Sequence, residues 1–519
     1  MKKIKVLWID DEVDLLRAHI LFLAQKGYEV ETSTNGHDAI EIIQNQYFDI
    51  VFLDENMPGL TGLETLSRIK QISPATPVVM ITKSEEEDNM DLAIGSKIAD
   101  YLIKPVHPKQ ILLTLKKIII RDELVTRKTT SDYQMEFAKL GMRLNERLDH
   151  NEWKEIYTQL VDWELKLAES NDNGMDDVLK MQRGEANNNF AKFIKNNYID
   201  WIQSDFDERP MLSHDLFKHY IFPKIDDSSR TVTLVIDNLR YDQYIILKNM
   251  LCQFYIPTDE SLYYSILPTA TQYARNAIFA GLMPGDIAKR YPQYWEEDDN
   301  EGQKNIHEEA LLLEQLKRLK RTESVYYEKF GAANVSDKKY AEVLNNINNH
   351  DLTVLIFNFV DMISHARTEM QVLRELASDE KAYRSITESW FANSSLLRLL
   401  KDLAERGVKL IITTDHGSVR VNNPIKVIGD RETVTNLRYK MGRRLKYEEK
   451  QVFAIHHPEE AKLPGRNLSS SFIFALHDDF LAYPNNFNYY AQYYRDTFQH
   501  GGVSMEEIIV PIAYFTPKD

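Results

Sequence analysis

A single cysteine, Cys252, stands in 519 residues. One thiol allows no internal disulfide, which fits a reducing compartment. No run of about 18 apolar residues occurs, so no membrane span is expected. Met1-Lys2-Lys3-Ile4-Lys5 gives way within a few residues to Asp10-Asp11, so the pattern predicts no secretory leader and a cytoplasmic protein. Positive charge is short: 63 Lys and Arg face 79 Asp and Glu, a net charge of −16. That balance runs against broad nucleic-acid affinity. No helix-turn-helix pair with a basic recognition helix is seen, which disfavours a DNA-binding regulator. Internal repeats and long low-complexity segments are missing too. What remains, 43% hydrophobic and 27% charged residues, is ordinary globular composition. The length suggests about three domains at about 150 residues each.

The chemistry gathers at the ends of short apolar runs. Leu410-Ile411-Ile412 reads as a buried strand that runs through Thr413-Thr414 into Asp415-His416-Gly417. Thr231 to Ile236 ends at Asp237, and Thr353 to Val360 ends at Asp361, with His365 four residues on. If Asp361 opens a helical turn, positions i and i+4 share one face and reach one ion. His500-Gly501-Gly502 precedes the apolar Ile508-Ile509-Val510. Ligands in open α/β sheets collect at the carboxyl ends of strands. Three Asp and three His suit zinc and are too many for one tetrahedral ion, but they suit two ions clamping a displacement at phosphorus. Leu267-Pro268-Thr269-Ala270-Thr271 leads into an expected helix, Tyr273 to Ala280, ending at Gly281. A hydroxyl there faces a helix N-terminus that favours phosphate. Both Thr269 and Thr271 fit a nucleophile, and each is equally a plain cap.

In this order, Asp237, Thr271, Asp361-x-x-x-His365, Asp415-His416-Gly417 and His500-Gly501-Gly502 resemble the alkaline phosphatase superfamily, and within it the PglZ-type domain, over roughly 230–519. The resemblance implies one zinc among Asp237, Thr271, Asp415 and His416, and a second held by Asp361, His365 and His500. It prefers Thr271 over Thr269 as nucleophile. Phosphoester hydrolysis through a phosphothreonine is the implied activity.

Residues 1 to about 120 alternate strand and helix in five βα units, which predicts a parallel sheet covered on both faces. Asp14 to Gly27 reads as a helix with Leu15, Leu16, Ile20 and Leu23 on its apolar side. Asp10, Asp11 and Asp54 stand at strand ends, and clustered carboxylates call for a hard cation such as Mg²⁺. Asp54 then accepts a phosphoryl group, with Lys104 neutralising charge, Thr82 following the phosphoryl oxygens and Tyr101 reporting the change. Asp-Asp, Asp54-x-x-Met57-Pro58-Gly59, Thr82 and Lys104-Pro105 resemble the receiver domain of two-component response regulators. Ile98 departs from that pattern, where Gly is usual, and touches a loop rather than the acidic site. The resemblance implies a sensor histidine kinase as phosphodonor and a homodimer on phosphorylation.

Between these regions Pro and Gly become scarce. Ser131 or Asp132 starts one expected helix, running to about Leu148. Asn151 starts a second, with Trp153, Ile156, Leu160, Trp163 and Leu167 as its apolar stripe. Asn171-Asp172-Asn173-Gly174 is a break, and a third helix runs from Met175 to Trp201. The expected architecture is α/β throughout: a receiver-type five-stranded parallel sheet over 1–122, a three-helix connector over 123–207, and a large alkaline-phosphatase-like α/β domain over 208–519. The segment Glu296 to Lys339 reads as a mostly helical insert, either a packed cap or a substrate lid. Tyr291, Tyr294 and Trp295 form an aromatic cluster beside it, and His456-His457 and the Tyr489, Tyr490, Tyr493, Tyr494 run offer stacking surface for bases. Arg275 either faces phosphate or is a helix-surface charge.

The full domain order resembles the response-regulator family tied to type IX secretion. This implies a zinc-dependent phosphodiesterase acting on cyclic and linear oligonucleotides, and an extracytoplasmic-function sigma factor as a possible partner. The alternatives are a non-catalytic, metal-stabilised binding regulator and a phosphomonoesterase.

Overall fold

The computed structural model describes residues 4–74, 76–83, 98–115, 117–118, 132–133, 135–169, 175–225, 230–296, 305–331, 336–369, 379–430, 433–465 and 469–518. The chain separates into two compact units, one drawn mainly from residues 1–134 and the other from 135–169 and 173–519. Among the described residues no helix is long and apolar enough to cross a membrane.

The smaller unit is the expected parallel sheet. Its strands are β1 (Lys5–Ile9), β2 (Glu29–Ser33), β3 (Ile50–Asp54), β4 (Val78–Thr82) and β5 (Asp100–Ile103), in the order β2-β1-β3-β4-β5. Helices α1 (Arg17–Gln25), α2 (Gly36–Asn45), α3 (Gly62–Ile72) and α4 (Pro108–Leu115) accompany them. Side chains alternate along each strand. Leu7, Ile9, Val51, Leu53 and Met80 enter one core, and Val6, Trp8, Ile50, Phe52 and Val79 enter the other. That two-sided burial is why β1 and β3 read as unbroken apolar runs. Leu15 departs from expectation. Residues 13–16 form a tight 3₁₀ turn before α1, and Leu15 points outward at 71% exposure while Leu16 and Leu23 are buried.

In the larger unit, a helical stretch 135–143 is followed by α5 (His150–Glu169) and α6 (Asp176–Gln203). The expected break at 171–174 lies outside the described residues. Trp153, Ile156, Leu160 and Leu167 are buried as the stripe predicts, and Trp163 is half-exposed under Lys166. These helices pack on the strands beyond them rather than standing free. Tyr264 donates to the His150 carbonyl (2.7 Å), Leu267 N donates to the Tyr198 hydroxyl (2.8 Å), and Trp201 packs edge-on against Tyr264.

The main sheet contains β6 (Thr231–Ile236), β7 (Tyr255–Tyr264), β8 (Val325–Phe330), β9 (Leu352–Phe357), β10 (Lys409–Thr413) and β18 (Ile509–Pro517), ordered β7-β18-β10-β6-β9-β8. β10, β6, β9 and β8 are parallel; β18 and β7 run antiparallel at one edge. Leu234, Leu355 and Ile412 point to one core and Val235, Ile356 and Ile411 to the other. Each such buried aliphatic side chain contributes about 1.5–3 kcal/mol. Helices cover both faces: α7 (Tyr241–Leu251), α8 (Thr271–Ala280), α9 (Pro284–Arg290), α10 (Glu308–Arg318), α11 (Asp337–Asn349), α12 (Phe359–Glu369), α13 (Glu380–Ala392) and α14 (Ser395–Glu405). In α14, Leu396, Leu399, Leu400 and Leu403 form the buried stripe, and Ser394 caps its N-terminus.

Among its described residues the segment Glu296 to Lys339 is helical only in part. Besides α10 it contributes β8, whose residues are mostly half-buried at the sheet edge; the adjacent Glu328 and Lys329 mask the strand. A small β subdomain follows β10: β11 (Val419–Arg420), β12 (Asn423–Lys426), β13 (Tyr439–Arg443), β14 (Val452–Ile455), β15 (Ser470–Ala475), β16 (Asp479–Ala482) and β17 (Phe498–Gln499), with α15 (Phe487–Tyr494). The short α16 (Met505–Ile508) leads into β18.

Candidate active site

The parallel strands deliver the expected residues to one end. Asp237 follows β6, Asp361 lies in the first turn of α12 just past β9, and Asp415-His416 follow β10. The Asp237 amide donates to Phe357 O at 2.9 Å, so neighbouring strand ends are stitched together. Two clusters form. In one, ligand atoms of Asp237, Asp415 and His416 lie within 4.8 Å of one another; in the other, those of Asp361, His365 and His500 do. The rings of His416 and His500 stack at 4.3 Å between centroids, so the clusters adjoin.

The Thr271 hydroxyl stands at the first residue of α8, 3.1 Å from His416 Nε2 and 3.3 Å from Asp237 Oδ1. Thr269 is occupied otherwise. Its buried hydroxyl donates to Gly502 O and accepts from Gly501 N, both at 3.0 Å, which ties down the His500 loop. The first cluster is sealed, with side chains 0–3% exposed; the second opens outward through His365, 63% exposed.

Several observations fit metal ligation. His416 Nδ1 meets Gly417 O (3.1 Å) and His500 Nδ1 meets Thr269 O (3.2 Å). Each ring thus spends one N–H on a carbonyl and leaves Nε2 for the cluster, the usual arrangement of a metal-binding imidazole. Burial pushes His416 down to about 4 and His500 to about 3, so both rings are neutral near pH 7. Burial, with Asp237 nearby, drives the Asp415 carboxyl well above the usual carboxylate range. Its Oδ2 accepts no hydrogen bond, with Arg275 3.8 Å away. A sealed carboxylate oxygen without a donor is costly, and a cation there removes the cost.

Arg275 is not a helix-surface charge. It is buried, donating to Asp237 Oδ2 (2.8 Å) and to Glu308. Burial would raise Asp237, but the Arg275 guanidinium bonded to it outweighs burial and holds that carboxyl below its usual range. The segment before α10 borders the nucleophile: Asn305 donates to Thr271 O at 3.2 Å. Trp295 packs edge-on against Tyr273 at 5.7 Å, while Tyr291 and Tyr294 pair at 6.2 Å. His456 and His457 are exposed, and Tyr489 stacks on Tyr493, and Tyr490 on Tyr494, along α15.

Sequence reading missed the supporting residues. Asn238, at φ 61°, donates through its side chain to Asp361 (3.2 Å) and through its backbone to Asp415 (3.3 Å). Glu506 and Glu507 look like surface acids before a strand, yet both are buried. No local pattern marks these residues, because their partners lie far away in sequence.

In the smaller unit, Asp10, Asp11 and Asp54 gather their ligand atoms within 4.8 Å. Lys104 donates to Asp10 and Asp54, each at 2.9 Å. Burial raises the Asp54 carboxyl, and Lys104 opposes it. Burial disfavours the Lys104 charge, but Asp10 and Asp54 together hold its ammonium above the usual value. The Thr82 hydroxyl donates to Glu55.

Comparison with known proteins follows this division. Residues 6–116 match the response regulator receiver domain family, 123–202 the PorX response regulator linker domain, and 216–515 the BREX system PglZ alkaline phosphatase-like domain. The chain therefore belongs to the PglZ alkaline phosphatase-like family, carried in a response regulator. Among curated proteins it resembles the transcriptional regulatory protein ResD of Bacillus subtilis, 32% identical over 117 residues, covering 22% of this chain and 48% of that protein. ZraR of Klebsiella oxytoca is 30% identical over 140 residues, 27% of this chain and 32% of that one. The chain thus spans about half the length, or less, of these relatives. A receiver domain structure from Clostridium thermocellum is 32% identical, with 23% of this chain and 98% of that chain covered, at a TM-score of 0.22.

Proposed function

We propose that this chain is a cytoplasmic two-component response regulator whose output domain hydrolyses phosphodiesters, with Thr271 as nucleophile. The observation that carries the reading is the Thr271 hydroxyl held at 3.1 Å from His416 and 3.3 Å from Asp237, beside a second cluster of Asp361, His365 and His500. Asp237, Asp415 and His416 would hold one zinc, and Asp361, His365 and His500 another. The pair would supply Lewis-acid stabilisation of charge on the attacking and leaving oxygens.

The chain's own residues do the rest. Thr271 gives up its hydroxyl proton and forms a P–O bond as the leaving alcohol's P–O bond breaks in line, and that alcohol departs protonated. Water then cleaves the resulting threonyl phosphodiester, which restores the hydroxyl and releases the phosphomonoester. Arg275 braces Asp237, Asn238 holds Asp361 and Asp415 in register, and Thr269 fastens the His500 loop. Engagement of Thr269 with Gly501 and Gly502 favours Thr271 as the attacking group. The opening at His365 suits an extended substrate, and oligonucleotides, cyclic or linear, are the class we favour.

In the receiver, Asp10, Asp11 and Asp54 would hold Mg²⁺, and Asp54 would take a phosphoryl group from a sensor histidine kinase. Lys104 neutralises the new charge, and Thr82 must leave Glu55 to follow it. Homodimerisation is the expected consequence. The linker match supports extending the reading to control of type IX secretion, with an extracytoplasmic-function sigma factor as partner.

Hydrolysis of an aryl phosphodiester, with the matching monoester alongside, tests this reading. Wild type in zinc should turn over the diester; chelator and Thr271→Ala should each abolish it. Zinc-replete wild type inert on both esters would sink the enzyme reading in favour of a binding role. Monoester turnover alone would reassign it as a phosphomonoesterase.

A further inference from the structure

The His416 and His500 loops lean on one short element, α16. Glu507 O accepts from Gly417 N at 3.2 Å, and a Cβ on Gly417 would come within 2.0 Å of Glu506 O. The Glu507 carboxylate accepts from Gly502 N at 2.8 Å and is held by Arg438 at 3.1 and 2.6 Å. So one residue restrains the loop after His416 through its backbone and the loop after His500 through its side chain.

This element is in turn fastened to the connector helix α6. Asn187 Oδ1 accepts from Met505 N at 2.8 Å, and Asn187 Nδ2 donates to both Glu506 oxygens at 3.1 and 3.0 Å. Arg183 donates to the same carboxylate at 2.5 Å. From Arg183 a chain of ion pairs runs through Glu164 of α5 to Arg384 of α13, then to Asp242 (3.1 Å) and Arg240 (2.9 and 2.6 Å). Arg240 stands three residues after Asp237, and its Cγ lies 3.4 Å from the Gly417 Cβ position. The belt thus begins beneath His416 and returns to the Asp237 loop. It uses three carboxylates (Glu164, Asp242, Glu506) and three guanidiniums (Arg183, Arg240, Arg384). Apolar side chains would hold packed helices together at least as well as buried charges do. What a hydrogen-bonded belt adds is a single allowed placement of its members.

We propose that Asn187 and Arg183 are positioning residues for the hydrolytic site, acting through Met505, Glu506 and Glu507 on the His416 and His500 loops. Helix α6 of the connector is then part of the apparatus that sets metal retention and kcat. The inference rests on the hydrolytic reading above.

Its test uses the full-length, zinc-loaded protein. Asn187→Ala, and the charge-neutral pair Arg183→Met with Glu506→Gln, are compared with wild type for kcat, KM, zinc release to a chromophoric chelator and thermal unfolding. Loss of a partner that orients metal ligands costs about 10–100-fold in affinity or activity. The expected result is a kcat loss and a faster zinc release of that size with KM near wild type, and partial recovery in Arg183→Lys. A folded Asn187→Ala with wild-type kcat and zinc release would overturn the proposal while leaving the hydrolytic reading intact. Should the variants fail to fold, hydrogen exchange on wild type decides. Zinc should slow exchange at the Met505 amide and along residues 183–187 more than along α14. Equal protection overturns the proposal. Wild type that neither binds zinc nor turns over diester fails the hydrolytic reading, and this proposal with it.

Discussion

At the scale of single residues, two threonines two positions apart are separated by what their hydroxyls touch. Thr269 is spent on Gly501 and Gly502, and Thr271 faces His416 and Asp237. Thr271→Ser should retain turnover, Thr271→Ala should lose several orders of magnitude in kcat, and Thr269→Ala should lose part of it with weaker zinc retention. Steady-state kinetics and metal analysis read all three. Arg275 bridges Asp237 and Glu308 where no water reaches. Arg275→Met leaves two buried carboxylates without their partner and should cost about 3–5 kcal/mol of stability, measured by denaturant unfolding. The histidines set a pH dependence in the zinc-free protein. The folded state holds His416 near 4 and His500 near 3, against about 6.5 for an unfolded imidazole. Above that value neither state binds the protons. As pH falls below it, the unfolded chain takes them up first, so stability drops progressively toward pH 4. The melting temperature should fall over that window, and less steeply in His500→Gln. The raised Asp415 carboxyl works in the opposite direction, so the comparison of the two proteins is decisive: a profile that His500→Gln leaves unchanged would contradict the neutral-imidazole arrangement.

At the scale of elements, the site was legible because each ligand pair ends a run with a recognisable period. β6, β9 and β10 bury both faces and so read as unbroken apolar stretches, and the few residues beyond the end of each, which hold Asp237, Asp361 and Asp415-His416, are where an open sheet binds ligands. The i, i+4 pair Asp361 and His365 needed only a helix at that point, and α12 supplies it. Illegible were the parts set by distant partners. β8 is a mostly half-buried edge strand, masked by the adjacent Glu328 and Lys329 in a segment that reads as a helical insert. Glu506 and Glu507 are buried only because Arg183, Asn187 and Arg438 lie against them. Arg275 was open between facing phosphate and lying on a helix surface, and its partners come from the residue after β6 and the first residue of α10. Close backbone approach was hidden as well. The place of Gly417 is dictated by Glu506 O, 2.0 Å from where a Cβ would sit. Gly417→Ala should shift the His416 loop and lower kcat by about 10–100-fold, with most of the fold retained by circular dichroism.

At the scale of the molecule, the architecture of receiver sheet, helical connector and large α/β unit agrees with the sequence reading. The connector's role was beyond it: the stripe of α5 showed that the helix is buried, but only the structure gives its partners, Tyr264 at the His150 carbonyl and Arg384 at Glu164. On the receiver side, Asp54 lies between Lys104 and two further carboxylates. Phosphodonor with Mg²⁺ should move the protein from monomer to dimer in light scattering, and Asp54→Asn should stay monomeric. The central claim, attack on phosphorus by Thr271, is tested most directly by acid-quenching the zinc-loaded enzyme during diester turnover and mapping phosphorylated peptides by mass spectrometry. A phosphoryl group on Thr271 that still carries the diester's non-leaving ester is the predicted result. Turnover with no phosphorylated threonine, or with the label on Thr269, would contradict the account.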